Sequence, residues 1–160
     1  MKKLLSILFL IISITNLYSQ ETNLDVIISS DNSIKYGQNL ILEITLINNS
    51  NSPQKFLFDK PKTNTNGPWD TTLNIVDTKT KTSVLKYQNK AILSSNAYKQ
   101  EQLKDYYYIL KPGDKITKKF DVLDLVVLDS PNQSINVGTY ELQLYFGNNQ
   151  SNKFTLNVTK

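Results

Sequence analysis

The 160-residue chain has no cysteine and no histidine, and all 18 of its basic residues are lysine. Each absence removes a class of chemistry. Without cysteine there is no disulfide, no thiolate nucleophile and no lipid-modified cysteine. Without histidine there is no imidazole base, and with both missing there is no Cys/His zinc site. Without arginine, two-pronged recognition of phosphates or base edges is lost. Alanine occurs only at Ala91 and Ala97, and glycine and proline occur five times each. Valine, isoleucine, threonine, tyrosine and phenylalanine are abundant instead, a composition that favours pleated, half-buried strands over helices.

The first residues read as an address. Met1-Lys2-Lys3 is a short basic start, Leu4 to Ile14 is apolar except for Ser6 and Ser13, and a small residue follows at Ser19. This is the form of a secretory signal peptide, with cleavage expected after Ser19. The apolar run is shorter than the ~20 residues of a spanning helix, and no later segment is long and apolar enough to cross a bilayer. The expected layout is a leader at 1–19 and one domain at 20–160, exported to the periplasm or the exterior. Losing Lys2 and Lys3 leaves 16 lysines against 14 acids, a net charge of +2. That balance argues against a nucleic-acid partner, whose phosphates require a dense basic face.

The remaining chain alternates. Leu24, Val26 and Ile28 fall on one face of a strand at 23–29. Leu40, Leu42, Ile44 and Leu46 fall on one face of a strand at 38–48, with Ile41 and Ile47 on the other. Further strands are expected at 55–59, at 69 or 73–77, at 82–87, at 90–93 and at 105–110. Asp31-Asn32-Ser33 and the run Asn48 to Pro53 read as turns. Lys111-Pro112-Gly113-Asp114 has proline and glycine where a type II turn needs them. A strand at 115–121 follows, and 121–128 reads as a short helical turn crossing between sheets. The chain closes with a hairpin, 138–146 against 153–159, whose inner face carries Tyr140, Leu142, Leu144 and Phe146 opposite Phe154, Leu156 and Val158. Seven to nine short strands with frequent turns predict an all-β antiparallel sandwich. Within it, Gly138-Thr139-Tyr140-Glu141-Leu142 has the form of a tyrosine corner, which turns a tyrosine hydroxyl back to the backbone and sends the residue two later into the core.

Leu110 to Ile116, Phe120-Asp121-Val122 and Gly138 to Leu142 together resemble the C-terminal half of immunoglobulin-like domains. Similar Pro-Gly-acid turns and Gly-x-Tyr strands occur in a bacterial family of small proteinase inhibitors and in β-rich regions preceding some secreted zinc peptidases. These motifs make turns and corners, so the resemblance implies an immunoglobulin-like sandwich, with peptidase inhibition as one function to test.

Motifs for catalysis or cofactors are not found. Ser94 and Ser95 stand five and four residues before Lys99, not the three of Ser-x-x-Lys. Asp70-Thr71-Thr72 lacks the glycine of an aspartic-peptidase loop. Glu43 and Glu141 are expected on outward strand faces, and a carboxylate pair would need them about 5–9 Å apart. Asp121, Asp124 and Asp129 lack calcium-loop spacing. Thr78 to Thr82 alternates threonine with lysine but has no phosphate-loop glycines. No enzyme, metal or cofactor is expected. The binding candidates are aromatic: Trp69, Tyr98, Tyr106, Tyr107 and Tyr108, with Tyr87 and Tyr145 as possible additions and the loops 59–68 and 88–102 beside them. Alternation puts Tyr106 and Tyr108 on one strand face and Tyr107 on the other. Such residues anchor protein partners or stack on sugars. The expected function is a non-catalytic module that binds another protein. The alternatives are a secreted peptidase inhibitor and a carbohydrate-binding module with a coplanar aromatic row.

Overall fold

The computed structural model describes residues 23–59, 68–88 and 103–160. The leader and the strand expected at 90–93 lie outside them. In chain order the described elements are β1 (Asp25–Ser29), β2 (Ser33–Lys35), β3 (Ile41–Ile47), β4 (Gln54–Leu57), β5 (Thr71–Asp77), β6 (Leu85–Tyr87), β7 (Tyr107–Leu110), β8 (Lys115–Asp121), α1 (Val122–Leu125), β9 (Val127–Leu128), β10 (Gly138–Phe146), β11 (Asn149–Gln150) and β12 (Phe154–Thr159). Four of these strands are only two or three residues long, and the other eight fall within the expected number. Among the described residues no helix is long and apolar enough to cross a membrane.

Two sheets face each other. One has the order β1-β3-β8; in the other, β10 lies between β5 and β12, and β2 flanks β12. All pairs are antiparallel except β12 with β2, which is parallel. In immunoglobulin lettering the sheets read A-B-E and C-F-G, with the first strand divided between them as β1 and β2. The fold is an immunoglobulin-like sandwich. Its core is the inward parity of each long strand: Val26 and Ile28, Leu42 to Leu46, Leu73 and Ile75, Leu142 and Leu144, Leu156 and Val158. Each such side chain contributes roughly 1.5–3 kcal/mol relative to exposure.

Local chemistry fixes the corners. Asp114 N–H donates to the Lys111 carbonyl at 3.0 Å and Gly113 has φ +82°, the expected type II turn. The Tyr140 hydroxyl donates to the Asn136 carbonyl at 2.8 Å, and Leu142 is fully buried, so the tyrosine corner is present. Asp121 caps α1 by accepting from Leu123 N–H at 2.9 Å. The Asn152 side chain accepts from Ile28 N–H at 2.8 Å and donates to the Ile28 carbonyl at 3.1 Å. That clip satisfies the edge of β1 and ties the two sheets together.

A second hub carries the ladder round a bend. The β3–β8 ladder continues into the pair β4–β7 across the segments 48–53 and 111–114. Asn48 sits at this bend, fully buried. Its amide donates to the carbonyls of Leu110 at 2.8 Å and Ser52 at 2.9 Å, and its side-chain oxygen accepts from the Ser50 hydroxyl at 2.7 Å. A buried polar group with all partners in place holds one geometry firmly.

The structure departs from the sequence expectation in several places, among them the short strands β9 (Val127–Leu128), within the stretch read as a helical turn, and β11 (Asn149–Gln150), between the two hairpin strands. Ser33, read as part of a turn, begins β2, a strand too short to show a period. Lys104–Tyr106 forms a 3-10 turn before β7, which breaks the alternation assumed through the three tyrosines.

Candidate functional site

The β4–β7 pair forms a small ribbon with apolar residues on both faces. Its register places Lys55 opposite Ile109, Phe56 opposite Tyr108 and Leu57 opposite Tyr107. Opposed residues share a face, so Phe56 and Tyr108 point toward the main core while Lys55, Leu57, Tyr107 and Ile109 point outward.

On the inner face the Tyr108 ring stacks on Phe56 with centroids 6.1 Å apart. Its hydroxyl donates to Asp59 at 2.5 Å, and Lys118 pairs with Asp59 at 3.1 Å. Lys118 occupies the inward parity of β8, a strand at the end of its sheet, where an inward-pointing charge discourages pairing with another chain. Burial alone would push the Asp59 carboxyl up. Its hydrogen bonds from Tyr108 and Lys118 and the lysine's charge outweigh that and hold it below the ordinary carboxylate value. Burial, then the Asp59 hydrogen bond, pushes Tyr108 up. The arrangement locks Tyr108 in place.

The outer face is different. Leu57, Trp69 and Leu103 form a second buried cluster, with Tyr106 and Tyr107 packed half-buried against it. Trp69 is held by its N–H donating to the Phe58 carbonyl at 2.6 Å and by its carbonyl accepting from the Thr71 hydroxyl at 2.8 Å. Lys55 Nζ lies 4.4 Å from the centroid of the Tyr107 ring, a cation–π contact. Beyond them Ile109 stands 64% exposed.

The sequence candidates therefore separate. Trp69, Tyr106 and Tyr107 come together on the outer side. Trp69 is the floor of that cluster rather than an exposed platform, being 8% exposed. Tyr106 joins Tyr107 and not Tyr108, because the 3-10 turn replaces period-two alternation at that point. Tyr108 faces the core. Tyr98 lies outside the described residues, as do Ser94, Ser95 and Lys99. Tyr87 is exposed on β6, apart from the ribbon. The described aromatics do not make the coplanar row on which the carbohydrate-module expectation rested. Lys55 and Ile109 were not singled out from sequence, although the parity of Tyr107 already puts Ile109 on its face.

The acids also find separate partners. Glu43 pairs with Lys119 at 3.6 Å on one sheet, and Glu141 pairs with Lys153 at 2.8 Å on the other. Ile41 on β3 is 45% exposed, so no described strand covers the second face of that sheet at this point. Compared with known proteins, the chain matches no family model and no curated sequence.

Proposed function

We propose that the chain is an exported, non-catalytic immunoglobulin-like module that binds another protein through the outer face of the β4–β7 ribbon. The observation that carries this reading is Ile109. It is a large apolar side chain, 64% exposed, fixed on a paired strand beside an aromatic ring that Lys55 covers at 4.4 Å. Its backbone is already fixed by the ladder, so only side-chain freedom is lost when a partner closes over it. Aromatic and aliphatic anchors of this kind, surrounded by groups that exclude water, carry most of the binding energy at protein interfaces. The basic-then-apolar segment at 1–19 supports export.

The reading is tested by placing a photo-crosslinking residue at position 109 of the full chain in its own cell, with a matched chain carrying it at Ile27, an exposed apolar residue of β1. One cross-linked protein from position 109, absent from position 27 and lost on adding Tyr107→Ala, is the expected result. No product at 109, or the same product at both positions, contradicts the proposal. If the captured protein is a peptidase whose activity falls on binding, the module is an inhibitor. Export predicts a processed chain beginning at Gln20, and a cytoplasmic chain beginning at Met1 contradicts it.

A further inference from the structure

A groove of about 270 Å³ opens at the end of the sandwich, between the β2–β3 turn, α1 and the segment 132–135. No residue of β4 or β7 lines it. Its floor is apolar and buried, formed by Leu40, Val122, Leu128 and Ile135.

The walls are held by specific constraints. Tyr36 stands at the rim, 47% exposed. Its N–H donates to the Thr159 carbonyl at 2.8 Å, and Gln38 N–H donates to the Lys35 carbonyl at 3.0 Å. With φ +81° at Gly37 this is a type II turn that sets Tyr36 at its second position. The Tyr36 hydroxyl lies 3.5 Å from the Ser134 hydroxyl. Opposite, Gln133 has φ +48°, a left-handed conformation that is costly for a non-glycine residue and concentrates at functional sites. Its side chain holds it there, accepting from Leu128 N–H at 3.1 Å and donating to the Leu128 carbonyl at 2.9 Å.

Charge narrows the ligand. Among the described residues Asp121 is the one charged residue lining the groove, and no lysine does. Both of its oxygens already accept, one from Asn39 Nδ2 at 2.7 Å and the other from Leu123 N–H at 2.9 Å. A phosphate or carboxylate would meet this acid with no cation among the described lining residues to offset it. A cation would find one carboxylate whose oxygens are already engaged. What fits is an uncharged molecule with an apolar face and a rim of hydrogen-bonding groups. We infer that the groove binds a single neutral sugar ring. Its C–H face would lie on the Leu40–Leu128 floor and the Tyr36 ring, and its hydroxyls would meet Gln38 Nε2, Asn39 Oδ1 and the side chains of Asn132 and Ser134, because Gln38 Oε1 already accepts from Lys35 N–H at 2.6 Å and Asn39 Nδ2 already donates to Asp121. The volume lies below the ~300–1,000 Å³ of larger ligand sites, so it suits one ring rather than a chain.

The test is an amide NMR titration of the isotopically labelled full chain with glucose, galactose, mannose and N-acetylglucosamine, each up to about 50 mM to reach millimolar affinities. At least one sugar is expected to give saturable shifts confined to residues 36–39, 121–123 and 132–135. Tyr36→Ala should weaken that binding about tenfold, and Tyr36→Phe, which keeps the ring, by only about two- to threefold. Tyr36 is exposed, so both variants should melt as the parent does. Asn132→Ala gives a second route to the same loss. No saturable shift with any of the four sugars, a stronger response to a sugar phosphate, or unchanged affinity in Tyr36→Ala would overturn the assignment.

Discussion

The β10–β12 hairpin and the β4–β7 ribbon are both antiparallel pairs, yet they treat their outer faces oppositely. On β10 the inward positions Tyr140, Leu142, Leu144 and Phe146 are buried, and the outward ones are Thr139, Glu141, Gln143 and Tyr145. The ribbon is apolar both ways, with Phe56 and Tyr108 inside and Leu57, Tyr107 and Ile109 outside. A one-sided strand is complete once its core forms. A two-sided one leaves Ile109 exposed after folding, and the function proposed above is that a partner covers it. The comparison separates residues whose burial holds the fold from residues the fold leaves exposed.

The sharpest way to break it is to exchange the two roles. Leu142→Ala removes a fully buried side chain and should lower unfolding free energy by about 3–4 kcal/mol. Ile109→Ala should change it by less than ~0.5 kcal/mol. Urea unfolding of both variants checks the contrast, and equal effects would dissolve it. Asn48→Ala comes next. It takes the Asn48 amide from the Leu110 carbonyl and one of two donors from the Ser52 carbonyl at the bend between sheet and ribbon, at a cost of about 2–3 kcal/mol. Hydrogen exchange should show the added opening in β4 and β7 rather than in β10. Tyr140→Phe deletes one hydrogen bond and should cost about 1 kcal/mol. Gly138→Ala should disturb the same corner, because a Cβ there would lie 3.1 Å from the Tyr140 hydroxyl and 3.3 Å from its ring carbons.

Smaller still is a pH effect at Asp59, where β8 meets the end of the ribbon. The folded-state pKa of Asp59 lies below its ordinary value of 3.8. The unfolded chain therefore binds the proton more readily than the folded one. Asp59 contributes stability above about pH 4, and that contribution is lost as pH falls through the depressed folded value. Unfolding free energy measured from neutral pH into acid should fall less steeply in Asp59→Asn than in the parent. Identical slopes would show that the Tyr108–Asp59–Lys118 contact does not form.

Much of the sandwich was legible because its signals are local. The alternation of Leu40 to Leu46 and of Tyr140 to Phe146, the Pro112-Gly113 turn and the spacing from Gly138 to Leu142 each specify geometry within a few residues. Other features depend on partners far along the chain. Asn48 looked like one more loop residue because the carbonyl it holds, that of Leu110, is 62 positions away. The 3-10 turn at Lys104–Tyr106 has no side-chain cap or glycine to announce it, so simple alternation places Tyr106 on the wrong side. Tyr36 drew no attention because only the parallel pairing of β2 with β12 brings it to the groove beside Ser134. The aromatic candidates were named as a group, but sorting them into floor, lock and exposed edge required the β4–β7 register.

The central claim is that the outer ribbon face binds without supporting the fold, and Ile109→Lys tests it in one binding isotherm against the protein captured at position 109. A variant that unfolds at the parent's midpoint should lose at least about tenfold in affinity, as expected for an anchor residue. Parent-like affinity in that folded variant would contradict the account.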